Sequence, residues 1–238
     1  MLPLLWIALQ TPAHAGAAVL ELYTSQGCSS CPPADALLNR LLAEAVKSGD
    51  AIFPLAFHVD YWNNLGWPDP FSSLAWSQRQ QAWSAHMGVD RIYTPQLIVS
   101  GQAQLVGSDE AGARAAIAAA LAKPDTVSLE LASTESKAGL DVEVKVLGLH
   151  ELALVQVALV EDGLVTAVPR GENAGRTLHH DHVVRALAQS TARAPGTVAL
   201  HLTVPTDVNR SHASLVAWVS DAQRWEVLGA KASTLPVL

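Results

Sequence analysis

The sequence predicts an α/β domain at the amino terminus and a mainly antiparallel, β-sandwich-like domain at the carboxyl terminus. Residues 17–59 contain a strand, a helix and a second strand, a unit that is typical of a parallel sheet. After Pro124 the pattern changes to period-two alternation of apolar and polar residues, and helical periodicity is almost absent. Because a length of 238 residues allows two modest domains, we expect a boundary near Pro124.

The composition indicates an ordered globular protein that does not bind nucleic acid. Half of the residues are hydrophobic and 16% are charged, which excludes a disordered chain. The chain carries 15 basic and 22 acidic residues, for a formal net charge of -7, and its Lys and Arg residues are not clustered. Phosphate backbones require a basic surface, so we expect no nucleic-acid partner.

Residues 1–15 resemble a secretory signal peptide, because an apolar run from Leu2 to Leu9 precedes Pro12 and an Ala-x-Ala that ends at Ala15. No Lys or Arg precedes this run, which leaves a short buried segment or an earlier start as alternatives. No other stretch approaches the roughly 20 apolar residues of a membrane helix. The sequence therefore predicts a periplasmic or secreted protein without an integral membrane segment.

Residues 16–124 are predicted to form the first domain. A buried strand over Ala17–Tyr23 leads into a polar loop, a helix follows over Ala34–Lys47, and a second strand covers Ala51–Val59. Two prolines just before the helix fit its first turn, where no amide donor is needed. Loops at the carboxyl ends of parallel strands carry the active residues in such units, so the polar loop is the expected site.

Residues 58–93 form an aromatic-rich insertion in that domain. Trp76 and Trp83 lie seven residues apart in a predicted helix over Ser72–Met87. Their indoles therefore share one face, and we expect them to pack in a small core of the insertion. A loop, a hairpin and an alanine-rich helix over Asp109–Leu121 complete the domain.

Residues 125–238 are predicted to form a β-rich domain that contains no cysteine. Turn signals separate its alternating runs. Those runs are Val127–Leu131, Leu140–Val146, Ala153–Val160, Val198–Val204 and Leu215–Val219. Asp181–Ser190 is the one helical candidate in this half.

Cys28 and Cys31 are the two cysteines of the chain and form a Cys-x-x-Cys motif at the predicted start of a helix. Helix amides and the positive end of the helix dipole stabilise a thiolate at such a position. The second thiol lies one turn further, close enough to resolve a mixed disulfide. The motif therefore predicts a redox dithiol, with Cys28 as nucleophile and Cys31 as resolving thiol, and no other cofactor.

Two other interpretations of the cysteine pair stay open. A Cys-x-x-Cys pair can be half of a zinc site, but the chain has no second pair, and His58 with Asp60 would have to complete it. The pair can also form a merely structural disulfide, although so small a loop gains little from closure. We predict no metal site.

The order of strand, Cys-x-x-Cys-Pro and helix, followed by Thr94-Pro95 before a strand, resembles the thioredoxin-like superfamily. This resemblance implies that Pro95 is a cis-proline facing the dithiol and that Thr94 offers backbone contacts to a bound substrate. Nearly the whole chain after residue 15 is more closely similar to the DUF1223 family of secreted, thioredoxin-like bacterial proteins, whose role is undefined. The motifs that carry this similarity are Glu21–Asp35, His58–Trp62, Gly66-Trp67, Arg79-Gln80, Tyr93–Gln96 and Arg170–Leu178.

The sequence departs from thioredoxin close to the dithiol. Thioredoxin has a buried acid six residues before its first cysteine, whereas that position is Leu22 here and the acid is Glu21. On a regular strand this shift of one residue turns the side chain to the other face. Glu21 is therefore a candidate proton acceptor for Cys31 only if the strand geometry brings it back beneath the dithiol.

The residues that follow the second strand, His58–Trp62, should emerge at the same sheet edge as the dithiol. We expect His58, Asp60, Tyr61 and Trp62, together with Trp67, to help form a pocket wall beside Cys28. His58 and Trp62, together with Thr94, are therefore the candidate substrate-binding residues.

Two polar segments of the second half are candidate sites. His179–His182 invites a metal interpretation, but no third ligand is fixed by spacing, so a solvated loop and helix start is favoured. Arg170–Arg176 is a polar, glycine-containing loop that either docks against the first domain or binds a ligand. It lacks the strand and helix context of a phosphate-binding loop.

Three functions fit these observations. The leading hypothesis is a thiol–disulfide oxidoreductase of an extracytoplasmic compartment that acts on protein or small-thiol substrates, with Pro95 shaping the groove. The second is a non-catalytic binding module in which the cysteines form an inert disulfide. The third is a Cu(I) carrier that uses the two cysteines, with His58, as ligands.

Overall fold

A computed structural model describes residues 16–137 and 139–235, so the predicted signal peptide at 1–15 lies outside the described residues. The helices in these ranges are α1 Pro32–Ser48, α2 Leu74–His86, α3 Glu110–Leu121 and a short 3-10 helix at Arg210–His212. The strands are β1 Ala18–Thr24, β2 Ile52–His58, β3 Gln96–Val99, β4 Ala103–Val106, β5 Ser128–Ser136, β6 Gly139–Leu147, β7 Ala153–Glu161, β8 Leu164–Ala167, β9 Thr177–His180, β10 Val183–Ala192, β11 Gly196–Thr203, β12 Ala213–Asp221 and β13 Val227–Thr234.

An eight-stranded mixed sheet runs through both halves of the chain, in the order β13-β12-β7-β10-β2-β1-β3-β4. β1 pairs in parallel with β2, and β10 joins the other edge of β2 in parallel through Val183 and Ala56. The remaining neighbours in this sheet are antiparallel.

The predicted fold class, an α/β thioredoxin-like domain followed by a separate β-sandwich-like domain, is therefore wrong. Strands from before and after Pro124 share one sheet, and the described residues are 43% strand against 21% helix. The physical reason is that the edge of β2 away from β1 is free to pair, and β10 pairs with it at Ala56, whose amide donates to the carbonyl of His182. The domain boundary at Pro124 stays a prediction.

A second, three-stranded antiparallel sheet, in the order β11-β6-β5, packs on the carboxyl-terminal strands of the large sheet. Alternate residues of β6, from Leu140 to Val146, point into the shared core, as the period-two pattern requires. A separate two-stranded ribbon of β8 and β9 lies next to α1.

The helices cover both faces of the amino-terminal strands. Leu20 and Leu22 of β1 pack with α1 and α3, whereas Val19 and Tyr23 point to the opposite face, which packs with α2. α1 begins with two prolines and ends at Gly49, whose φ of 78° lies in the left-handed region that favours glycine. No helix in the described ranges is both long and apolar enough to cross a membrane.

The predicted helix over Asp181–Ser190 is wrong, because Val183–Ala192 forms strand β10. β10 pairs with β7 along its whole length, with a bulge between Val184 and Ala186. The ladder of hydrogen bonds in the sheet outweighs the weak helical preference of this short segment.

Candidate redox site

Cys28 and Cys31 form a disulfide, with their Cα atoms 5.4 Å apart. Cys31 lies at the amino terminus of α1, where its carbonyl accepts hydrogen bonds from the amides of Ala34 at 2.8 Å and Asp35 at 3.1 Å. Both cysteines are fully buried, whereas Ser29 and Ser30 between them are exposed. The predicted disulfide is confirmed, and solvent does not reach its sulfur atoms in this conformation.

The peptide bond between Thr94 and Pro95 is cis, and this segment faces the loop between β1 and α1 that carries the cysteines (residues 25–31), which we call the cysteine loop. Ser30 Oγ donates a hydrogen bond to the carbonyl oxygen of Thr94 at 3.5 Å. The indole of Trp62 donates to Thr94 Oγ1 at 2.8 Å. The structure thus brings Thr94, Pro95 and Trp62 to the cysteine loop, and their roles toward a substrate stay predictions.

The turn between β8 and β9, which we call the cap loop (residues 168–176), docks directly on the cysteine loop. Asn173 Nδ2 donates to the carbonyl oxygens of Gln26 and Cys28, each at 2.9 Å, and Asn173 is almost completely buried. Glu172 Oε2 accepts a hydrogen bond from the amide of Ser29 at 3.0 Å, which lowers the pKa of Glu172. The cap loop therefore fixes the backbone on both sides of the first cysteine.

His58 points into the protein interior behind the cysteine loop, where it is fully buried. Its Nδ1 lies 2.7 Å from Oδ2 of Asp69, and the same oxygen accepts the amide of Gln26 at 2.8 Å. Burial acts to lower the pKa of His58, but the nearby Asp69 carboxylate outweighs it and raises this pKa above the ordinary value. The structure therefore places His58 beneath the cysteine loop, joined to Asp69 rather than exposed at a pocket wall.

Asp35 and His180 complete a buried group with His58 and Asp69, which we call the histidine–aspartate cluster. Asp35 Oδ1 accepts a hydrogen bond from Thr24 Oγ1 at 2.7 Å, and Asp35 Oδ2 lies 3.8 Å from His180 Nδ1. The rings of His58 and His180 are 4.8 Å apart between centroids.

Burial sets the protonation of this cluster. It raises the pKa of Asp35 to about 6, and, with the charge of His58, it lowers the pKa of His180 to about 3. The Nε2 atoms of both histidines are buried and have no hydrogen-bond partner among the described residues. Asp35 therefore changes its proton occupancy near neutral pH, one helical turn beyond Cys31.

Glu21 does not reach the dithiol. Both of its carboxylate oxygens bind the guanidinium of Arg79 at 2.8 Å, and Oε2 also accepts from Tyr23 Oη at 2.8 Å and Trp83 Nε1 at 3.0 Å. We call these four residues the Glu21–Arg79 cluster. The one-residue shift from the thioredoxin pattern therefore turns this acid toward α2, whereas the buried acid Asp35 lies four residues after Cys31, in the first turn of α1.

The structure also shows the contacts of the two polar segments predicted as candidate sites in the second half, His179–His182 and Arg170–Arg176. His182 Nδ1 pairs with Asp162 Oδ1 at 2.6 Å, His180 joins the histidine–aspartate cluster, and His179 lies on β9. No group of three or more His, Cys, Asp or Glu side chains in the described ranges is arranged to hold a metal ion. Of the two options left open for Arg170–Arg176, docking against the first half of the chain is observed.

Sequence reasoning missed Asp35, His180 and Asn173 as parts of the site. Asp35 had a usable signal, because it lies on the apolar face of α1 with Leu38 and Leu41, and a carboxylate on such a face needs a reason. His180 and Asn173 carry no local signal, since only the β8–β9 ribbon brings them to the cysteine loop.

The family model described as "Protein of unknown function (DUF1223)" matches residues 19–220. The chain belongs to the DUF1223 family. The matched range of this DUF1223 protein includes both cysteines, the cap loop and the histidine–aspartate cluster. No curated protein matches the sequence.

Two solved structures resemble this DUF1223 protein in fold. A crystal structure of a protein from Agrobacterium tumefaciens is 24% identical with a TM-score of 0.70, and the match covers 94% of this chain and 98% of that one. HBP35 of Porphyromonas gingivalis is 16% identical with a TM-score of 0.63, over 93% of this chain and 76% of that one. At these identities the likeness shows the fold alone.

Proposed function

We propose that this DUF1223 protein is a thiol–disulfide oxidoreductase that works outside the cytoplasm on protein or small-thiol substrates. The observation that carries the proposal is the Cys28–Cys31 disulfide at the amino terminus of α1, with the protonatable Asp35 one turn further along the same helix. A helix amino terminus stabilises a leaving thiolate, and a buried carboxyl with a pKa near 6 can supply its proton. The apolar run and Ala-x-Ala at the start of the chain support the extracytoplasmic location.

The exchange reaction proceeds through a mixed disulfide. A substrate thiolate attacks Sγ of Cys28, the Cys28–Cys31 bond breaks, and Cys31 leaves as a thiolate. A second substrate thiolate then attacks the substrate sulfur of the mixed disulfide and releases Cys28 as a thiolate. The substrate loses two electrons and two protons and becomes a disulfide, while the protein gains them as a dithiol. The same steps in reverse reduce a substrate disulfide.

In this proposal Asp35 donates a proton to the sulfur of Cys31 and removes it again in the reverse reaction. It lies in the first turn of α1, hydrogen-bonded to Thr24, with the two histidines and Asp69 behind it. When Cys31 leaves, the protonated carboxyl donates to its sulfur, and in the reverse direction the carboxylate removes the proton before Cys31 attacks. The Nε2 atoms of His58 and His180 have no hydrogen-bond partner among the described residues. A proton can therefore move onto or off these atoms without an existing hydrogen bond being broken first.

Substrate access requires the cap loop to move. With both cysteines fully buried, a thiolate cannot approach Sγ of Cys28 along a line with the disulfide bond. Two hydrogen bonds from Asn173 and one to Glu172 hold the loop on the cysteine loop, and these must break when it moves. The segment Thr94-Pro95 and the indole of Trp62 would then border the opened site.

Trapping of the mixed disulfide tests this function. In Cys31→Ala the mixed disulfide at Cys28 cannot be resolved, so we expect partners from a periplasmic extract to stay covalently bound on a non-reducing gel. Cys28→Ala is the matched control, because it keeps one thiol but lacks the attacking one, and should retain none. Equal capture by both variants, or capture by neither, contradicts the proposal.

A binding module with an inert disulfide is the second candidate, and the complete burial of both cysteines favours it. In that case the cap loop closes permanently over the disulfide. A reduced and a disulfide-bonded protein would then bind the same partner, and thiol reagents would not reach the pair in the folded state.

A further inference from the structure

A cavity of about 460 Å³ lies between α2 and the carboxyl-terminal strands of the large sheet, and it is open to solvent on one side. This volume falls within the range of small-molecule sites. Apolar side chains form most of its lining. They are Ala75, Trp76, Ala82, Trp83, Leu154, Leu187 and Trp225.

Aromatic rings build one wall of the cavity. The Trp225 ring contacts Trp83 edge to face, with centroids 4.8 Å apart, and stacks on His86 at 4.5 Å with an interplanar angle of 6°. The φ of Trp225 is 59°, a left-handed conformation that is rare for a bulky residue. Trp225 lies in the turn between β12 and β13, where its amide donates to the carbonyl of Asp221 at 2.9 Å, and this turn places the indole at the cavity wall.

Polar side chains from the large sheet form another part of the lining, and one of their hydrogen-bond acceptors has no donor among the described residues. Gln156 is 2% exposed, and its Nε2 donates to Ser220 Oγ at 3.2 Å, but its Oε1 has no partner among the described residues. Both residues line the cavity, as does Gln189 on the neighbouring strand. A buried acceptor without a donor destabilises a fold, so a hydrogen bond from a bound molecule to Oε1 of Gln156 would be favourable.

The charge of the lining indicates a neutral ligand. Arg79 also lines the cavity, but its guanidinium is bound to both carboxylate oxygens of Glu21 and lies over the ring of Phe57 at 5.4 Å. Its charge is therefore already compensated, and an anionic ligand would compete with Glu21 for it.

We propose that this cavity binds a neutral, planar aromatic or heteroaromatic molecule whose ring edge donates an N–H or O–H hydrogen bond to Oε1 of Gln156. The indoles provide flat apolar surfaces for the ring, and the amide of Gln156 fixes its orientation. This binding is separate from the chemistry of the disulfide, and it is measured on the oxidised protein.

Indole and 1-methylindole form a matched pair of probes, since they differ in the ring N–H. Titration calorimetry of the full chain should show saturable binding of indole that is about tenfold tighter than binding of 1-methylindole, the effect of one hydrogen bond. Equal affinities for the two probes, or no saturable binding of indole, would overturn the proposal.

Two variants locate the probe. Gln156→Met keeps the length of the side chain but removes the acceptor, so it should abolish the preference for indole while 1-methylindole binds as before. Ala82→Trp fills the cavity and should abolish binding of both probes, whereas Ala85→Trp, on the same helix but outside the lining, should bind indole as the unmodified chain does. Unchanged indole binding in Ala82→Trp places the probe elsewhere and contradicts the proposal.

Discussion

Two buried polar clusters lie at the β1–β2 strand pair, and they differ in how completely their atoms are paired. In the Glu21–Arg79 cluster, both carboxylate oxygens and the guanidinium are hydrogen-bonded, and the guanidinium also lies over the rings of Phe57 and Trp218. In the histidine–aspartate cluster, two imidazole nitrogens have no partner among the described residues, and Asp35 has a raised pKa.

The difference separates a structural role from a chemical one. A network in which both carboxylate oxygens and the guanidinium are hydrogen-bonded holds one arrangement, so the Glu21–Arg79 cluster fixes α2 against the sheet. A partly paired network loses stability but can change its protonation, and the histidine–aspartate cluster lies where α1 begins beside the disulfide. The two clusters should therefore respond in opposite directions to substitution.

The largest expected effect is in the paired cluster. Arg79→Met leaves the Glu21 carboxylate buried without its cation, so we expect the free energy of unfolding to fall by about 3–5 kcal/mol. Urea unfolding measures this change. Arg114→Met is the matched control, because Arg114 pairs with Glu44 and Glu110 at the surface, where solvent screens the ion pairs and a much smaller loss is expected. Equal losses of unfolding free energy in Arg79→Met and Arg114→Met would contradict a structural role for the buried Glu21–Arg79 pair.

The next largest effect has the opposite sign. The pKa of Asp35 is about 6 in the folded protein against an ordinary 3.8, so the folded state holds more protons between these values and the free energy of unfolding falls as pH rises through them. Asp35→Asn removes this loss and retains an acceptor for Thr24. We expect it to raise the free energy of unfolding at pH 7 by up to about 3 kcal/mol, and to leave it nearly unchanged below pH 4.

A pH series of urea unfolding curves checks the Asp35 prediction, with the exposed Asp90→Asn as control for the loss of one charge. The same Asp35→Asn variant should slow thiol–disulfide exchange by about 10²-fold, since it removes the proton donor for Cys31. If Asp35→Asn lowers the free energy of unfolding at pH 7, or exchanges disulfides at the original rate, the chemical role of the histidine–aspartate cluster is contradicted.

The smallest expected effect is at the cap loop. Asn173→Ala removes two hydrogen bonds to the cysteine loop, so the open form should become about tenfold more populated. Reduction by dithiothreitol, followed by thiol labelling, should accelerate by the same factor. Arg170→Ala, an exposed position on the same loop, is the control and should change nothing. An unchanged rate for Asn173→Ala would show that the disulfide is reached by another route.

Local structure around the cysteines was predictable from the sequence, and long-range strand pairing was not. The disulfide and the two-proline start of α1 follow from residue types within one turn of each other, and the structure agrees. The fold class failed because a single register contact, Val183 with Ala56, joins the two halves into one sheet. A contact between residues so distant in sequence leaves no periodic signature in either strand.

The same distinction between local and long-range features applies to the residues of the candidate site. Cys28, Cys31 and the cis-proline segment were found from motifs, and Asp35 was within reach because a carboxylate on an apolar helix face is unusual. The cap loop and His180 come from the distant β8–β9 ribbon. Their polarity alone fits a solvated loop equally well, so only the folded arrangement reveals that the cap loop docks on the cysteine loop and that His180 lies beside Asp35.

The reduction potential of the Cys28–Cys31 pair tests the central claim most directly. Equilibration of the full chain with glutathione or dithiothreitol buffers, read out by thiol labelling, gives this value. An exchange-active pair should lie between about −270 and −120 mV, the range of enzymes that exchange disulfides. A potential below about −300 mV, where structural disulfides lie, would contradict the account and favour an inert disulfide beneath a permanently closed cap loop.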